Sequence, residues 1–157
     1  YYPILYTGNK GHVAHEMILD INGIDKTTGI AAIDIAKRLM DYGFHAPTVA
    51  FPVHDTLMVE PTESEPLAEL DRFVDAMINI RREIADIEEG KAPKGDNIIT
   101  HSPYTAEMLM ADEWKFPFTR QEAGMPLKSD VQDKYFPYVT RIDDAWGDRN
   151  LVCRIQD

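Results

Sequence analysis

Residues 64–90, SEPLAELDRFVDAMINIRREIADIEEG, decide the fold. Leu67, Leu70, Phe73, Val74, Met77, Ile80, Ile84 and Ile87 recur at helical spacing and hold one side of a helix for about five turns. Ser64 is the expected N-cap. Pro66 falls in the first turn, where its missing N–H costs nothing, and Gly90 stands where a helix closes. Each fully buried Leu or Ile on the stripe would contribute about 1.5–3 kcal/mol, so this helix is expected to organise the core.

Working outward, residues 12–21 (HVAHEMILDI) alternate at Val13, Met17 and Leu19 and end on the turn signal Asn22-Gly23, which predicts a strand. Ile30, Ile33, Ala36, Leu39 and Met40 then predict an amphipathic helix with Thr28 as N-cap and Gly43 as the left-handed residue after its end. Residues 48–51 and 56–60 are β-prone runs around Pro52-Val53-His54-Asp55, the pattern of a hairpin. The order strand, helix, strand, strand, helix predicts an α+β fold, a mainly antiparallel sheet with helices on one face.

The cluster GKAPKG at 90–95 marks a change of character within a single domain. Residues 1–90 read as the α+β sandwich, and residues 91–157 as an extended, aromatic-rich, irregular segment that wraps a surface. Short helical signals occur at Ser102-Pro103 and in the capping box Thr119-Arg120-Gln121-Glu122. Trp114, Phe116, Phe118, Tyr135, Phe136 and Tyr138 are too many rings for a solvated loop. They pack either back on the sandwich or on a domain outside this chain, and the sequence favours neither.

Composition narrows the partners. The chain has 157 residues, 44% of them apolar, which fits one compact domain. A formal charge of −11 argues against electrostatic binding of nucleic acid and of anionic membranes, leaving proteins and small molecules. Cys153 is the sole cysteine, so no disulfide forms within the chain and a reducing compartment is expected. No apolar run approaches the ~18 residues of a membrane span, and YYPILYTGNK lacks the plan of a signal peptide. The first residue is Tyr1 rather than Met, which leaves room for residues upstream.

Few residues suggest chemistry. His12 and His15 sit in HVAH followed by Glu16, but a zincin needs His-Glu-x-x-His on a helix, and on a strand these two histidines face opposite ways, so no metal site is expected. Glu63 and Glu65 suit the positive end of the long helix. Glu60 ends a strand just before Pro61-Thr62, a position equally suited to a hydrogen bond in a cleft. His45, in GFHAPT, either caps a helix end or faces a site. Lys37 and Arg38 are accounted for by the dipole at a helix C-terminus, Arg81-Arg82 by a solvated face, and Cys153 shows no partner that would activate it.

Four stretches, GHVAHEMILDI, DIAKRLMDYGFHAPTVAFPV, TLMVEPTESEPLAELDRFVDAMINIRREIADIEEG and RIDDAWGDRNLVC, in this order and spacing, resemble the last part of the glycine cleavage P-protein family. The resemblance covers essentially the whole chain. AKRLMDYGFHAPT and EPTESE with its following helix are its specific parts, and residues 91–134 are less distinctive. It implies a pyridoxal-phosphate enzyme of the aspartate-aminotransferase fold type, and for this chain the small C-terminal domain of that fold. Such an enzyme releases the carboxylate of glycine as CO2 and passes the aminomethyl group to the lipoyl arm of H-protein. The family's catalytic lysine follows a histidine, whereas none of the eight lysines here does, and no glycine-rich phosphate loop is visible. The resemblance therefore implies no catalytic residue in this chain and no pyridoxal phosphate bound by it alone.

What it does imply is a cleft-facing edge made of His45, Thr48, Glu60, Thr62 and Glu63. In related small domains of the cysteine-desulfurase kind an Arg-x-Ser strand end holds the substrate carboxylate. Met58 and Glu60 occupy the corresponding places, so the anchoring Arg is missing. The implied partners are the large cofactor-binding domain of the same enzyme, lipoylated H-protein and glycine, in an oligomeric parent. That parent would be cytoplasmic in bacteria and in the mitochondrial matrix in eukaryotes. Two other classes compete. One is a small-molecule-binding regulatory domain of ferredoxin-like type, since fold alone never decides function, and the other is an assembly module whose aromatic tail binds a partner.

Overall fold

The computed structural model describes residues 1–127 and 134–151. Strands β1 (Met17–Asp20), β2 (Thr48–Val49) and β3 (Thr56–Val59) form one antiparallel sheet in the order β1-β3-β2. Around it stand α1 (Ile24–Thr28), α2 (Ala32–Asp41) and the long α3 (Leu67–Glu88), followed by the short α4 (Ala106–Met110), α5 (Arg120–Gly124) and α6 (Asp144–Arg149). This is the expected α+β fold, and β2 and β3 form the expected hairpin. The register pairs Met17 with Val59, Leu19 with Leu57, and Val49 also with Leu57, so one sheet face carries the apolar set that meets α2 and α3.

Both main helices close as their glycines predict. At α2 the N–H of Gly43 reaches the Met40 carbonyl and that of Phe44 reaches Leu39, with Gly43 at φ 79°. The same pair of bonds ends α3, from Gly90 to Ile87 and from Lys91 to Asp86.

The helix starts differ from expectation. Thr28 ends α1, its hydroxyl donating to the Ile24 carbonyl and accepting the Ile30 N–H, and α2 begins only at Ala32. Two carboxylates cap α2 in its place: Asp34 accepts from the Ala31 N–H and Asp55 from the Ala32 N–H. The face of α2 that meets the core is Ala32, Ile35, Ala36 and Leu39, so Ile35 rather than Ile33 is buried. Ser64 does not cap α3 either. Pro66 occupies the N-cap in an extended conformation, its carbonyl accepting the first helical N–H groups, while the Ser64 hydroxyl pairs with that of Thr62. The first strand is shorter than predicted: residues 12–16 and Ile21 stand outside it, so the opposite-face argument for His12 and His15 has no strand beneath it.

The largest correction concerns the α3 stripe. Only its C-terminal half, Ala76, Met77, Ile80, Ile84 and Ile87, is buried. Leu67, Leu70 and Val74 remain 72%, 36% and 52% exposed, and at 3.6 residues per turn Leu67 and Val74 lie roughly a third of a turn or more around the helix from Ile80 and Ile87.

Arg38 is likewise no solvated dipole partner. Its side chain is wholly buried, bonding Glu83 through Nε and Nη2, Asp41 through Nη1, and the carbonyls of Glu122 and Ala123. One guanidinium thereby ties α2, α3 and α5 together. Asp41 uses its second oxygen to accept the Tyr104 N–H at 2.7 Å; burial pushes its carboxyl up from the ordinary range while Arg38 and that N–H pull it down. Tyr104 in turn meets Trp114, Phe116 and Phe118, with Phe116 and Phe118 stacked at 5.3 Å. These rings pack back on the domain, whereas Tyr135 and Tyr138 stay exposed at 53% and 85%. The predicted capping box closes α5, Thr119 and Glu122 each accepting the other's backbone N–H. Arg81 is not simply solvated, since it forks onto Glu88. Cys153 lies outside the described residues.

Candidate functional site

Three chain segments meet around a groove of about 700 Å³. The loop from Gly43 to Thr48 forms one side, the end of β3 with Glu60 and Pro61 another, and the first turns of α3 the third. Met17, Phe44, Met58, Leu70, Phe73 and Val74 give it an apolar lining, and Glu60, Glu65 and Glu69 give it an acidic rim.

The loop is held in place from behind. Gly43 turns the chain out of α2, and Phe44 then meets Phe73 edge-on at 5.3 Å. Arg72 donates from Nη1 to the Tyr42 carbonyl, lies 3.8 Å over the Phe44 ring, and is itself forked by Glu69. That pairing draws the Glu69 carboxyl below its ordinary value. His45 projects from this braced loop, exposed, with Nδ1 2.9 Å from the Ala46 carbonyl.

Of the five residues expected at a cleft-facing edge, His45, Thr48 and Glu60 come together on the groove. All three are exposed, while Leu57 is buried and Val49 half-buried. Thr62 and Glu63 are exposed but lie outside the lining, on the turn that Glu65 N–H closes onto the Thr62 carbonyl. Beyond Pro61 the chain has already left the sheet edge for α3, which is why they do not join the others. Phe44, Glu65, Glu69 and Leu70 line the groove without having been singled out as site residues. The spacing of Glu65 and Glu69, four apart at a helix start, was the available signal; a fixed ion pair with Arg72 was not readable from it.

The cross-strand pairing of Met17 with Val59 also brings Glu16 beside Glu60, and His15 joins them, each offering one atom within 4.8 Å of the others. His15 and Glu16 have side chains 73% and 42% exposed, so this trio is a wet polar rim rather than a closed metal centre.

No lysine or arginine lines the groove among the described residues. Pyridoxal phosphate needs an amine for its aldehyde and a positive setting for its phosphate; no lysine lines the groove, and the carboxylates of Glu60, Glu65 and Glu69 would repel the phosphate. The residues present do not fit that group as its holder.

The fold and the groove define a class: a small α+β domain with an open groove, apolar within and acidic at its rim, between its sheet edge and the start of its long helix. The comparisons are more particular. Residues 1–104 match the family model described as glycine dehydrogenase, C-terminal domain, and the chain belongs to that family. It is similar to proteins named glycine dehydrogenase (decarboxylating): 60% identical over 153 residues to that of Bordetella avium, 58% to that of Variovorax paradoxus, and 57% over 152 residues to that of Akkermansia muciniphila. The matches cover 98%, 98% and 97% of this chain but only 16% of each relative, so the chain spans about a sixth of their length.

Proposed function

We propose that this chain is the C-terminal domain of a glycine-decarboxylating enzyme and that its groove forms one wall of that enzyme's substrate cleft. The observation that carries the reading is the convergence of His45, Thr48 and Glu60, from two chain segments, on one groove in a member of this family. Pyridoxal phosphate, when bound by the remainder of the enzyme, supplies the electron sink for decarboxylation. This chain's part is to shape the cleft, exclude water and hydrogen-bond what enters it.

The lining suits that task. A carboxylate that is to leave as CO2 loses its charge, and an ion pair would hold it in the charged state. The groove has Met58 where an anchoring Arg would stand, and apolar neighbours around it. His45 and Glu60 are the groups placed to orient the amine and the departing end of the substrate. The aminomethyl acceptor in this reading is the lipoyl arm of H-protein.

Exchange of labelled bicarbonate into glycine by the full-length enzyme tests the proposal. His45→Ala and Glu60→Ala should each lower exchange by about tenfold or more, the loss expected of a group that positions a substrate. Lys91→Ala, an exposed residue paired with Glu89 and Asp86 far along the chain, should leave it unchanged. Normal exchange in both groove variants would overturn the assignment.

A further inference from the structure

The outward face of α3 carries a second apolar stripe. The exposed Leu67, Leu70 and Val74 and the half-buried Ile78 follow one another at spacings of three and four, on the side turned away from Ala76, Ile80 and Ile87. Asp71 and Asp75 flank it, both exposed, and Glu65 stands at its start. Among the described residues no lysine, arginine or histidine forms an ion pair with Asp71, Asp75 or Glu65. A helix whose apolar residues run on past the core face, edged by acids of one sign, is half of a helix-packing interface.

We propose that this face docks a segment of the same polypeptide from outside these 157 residues, one that presents apolar side chains beside lysine or arginine. The inference rests on the reading of this chain as one domain of a longer enzyme. Two observations select the occupant. The chain spans only 16% of the relatives it matches, so most of the polypeptide that would cover such a face lies elsewhere in it. A second copy of this chain would bring the same acids to Asp71 and Asp75, adding to a domain already at −11, and like charges set against each other repel. A basic, apolar segment satisfies both the stripe and its edge.

The face is distinct from the groove in what it does, although Glu65, Leu70 and Val74 belong to both. The groove stays open for a small molecule, while Leu67, Asp71, Asp75 and Ile78 turn away from its lining. Docking there would fix the start of α3, and with it Glu69, Arg72 and the braced loop that carries His45.

Photo-crosslinking in the full-length enzyme tests the proposal, with benzoylphenylalanine replacing Leu67 and, as control, Glu107 on the exposed side of α4. The Leu67 probe is expected to join a segment of the same polypeptide outside these 157 residues that has a basic residue close to the crosslinked position. The double variant Asp71→Lys/Asp75→Lys should cut that yield by about fivefold or more. Crosslinks confined to residues 1–157, crosslinks to a second polypeptide, or none above the Glu107 control would each overturn the docking; an unchanged yield in the double variant would overturn its electrostatic part. Bicarbonate exchange reads the functional proposal separately. A protein that crosslinks as expected while the His45 and Glu60 variants keep full exchange would refute the cleft assignment and leave the docking intact.

Discussion

Arg72, on the second turn of α3, donates its Nη1 hydrogen to the carbonyl of Tyr42 at 2.5 Å, across thirty positions of sequence. Tyr42 caps the C-terminus of α2 just before the left-handed Gly43, so this bond fixes the point at which the groove loop leaves the sandwich. The same guanidinium covers Phe44 and is held by Glu69. The place of His45 is thus set by a residue on another helix.

Arg72→Met should loosen the loop more than it unfolds the domain. The ion pair and ring contact are partly exposed, so the global loss is expected to be about 1 kcal/mol or less. Hydrogen exchange at the amides of Phe44, His45 and Ala46 should speed up, while those of Ile80 to Ile87 keep their protection. Unchanged exchange in the loop would show that Gly43 and the Phe44–Phe73 contact suffice.

The two halves of α3 should respond unequally to truncation. Ile80→Ala opens a cavity beneath the helix and should cost about 2–5 kcal/mol. Leu70→Ala, at 36% exposure, should cost about 1 kcal/mol or less in chemical denaturation of this chain. Equal losses would mean that the exposed stripe is packed in solution.

Removing the buried cation should be severe. Arg38→Met leaves Glu83 and Asp41 without their partner and frees two carbonyls of the α5 turn, an expected cost of about 3–5 kcal/mol by denaturant titration. Arg82→Met, an exposed position bonded among the described residues to Asn79 alone, should stay within about 0.5 kcal/mol.

The α5 capping box should give an acid-sensitive term. Hydrogen bonds from the Thr119 N–H, then its hydroxyl, hold Glu122 below its ordinary value of 4.5. A lowered folded pKa contributes stability that is present above the unfolded value and lost as pH falls through the folded one. The midpoint difference between the native chain and Glu122→Gln should therefore be positive near neutrality and shrink as pH drops below about 4.5. A difference that grows on acidification would reverse the assignment.

Much of the fold is legible in one dimension because the deciding interactions are local. Gly43 and Gly90 end helices through bonds to carbonyls a few residues back, and the Thr119-to-Glu122 box closes within one turn. The β-prone run at 56–60 placed β3, and Pro52-Val53-His54-Asp55 placed its hairpin. A local rule failed where a distant carboxylate did better. Asp55, brought beside α2 by the hairpin, caps it at Ala32, and Thr28 is left to end α1.

The sequence also carried the family, since long runs of matched residues need no tertiary knowledge, and it pointed to His45, Thr48 and Glu60 from where loops leave a sheet. Tertiary structure alone decided the rest. Spacings of three and four let the apolar positions of α3 drift around the helix, and only packing shows which of them meet the core, burying Ile80 and leaving Leu67 exposed. Arg38 reads as an ordinary helix-end cation until Glu83, 45 residues later, and the α5 carbonyls, 84 and 85 residues later, surround it. Long-range desolvation and charge pairing depend on which segments meet, and spacing along the chain does not record that.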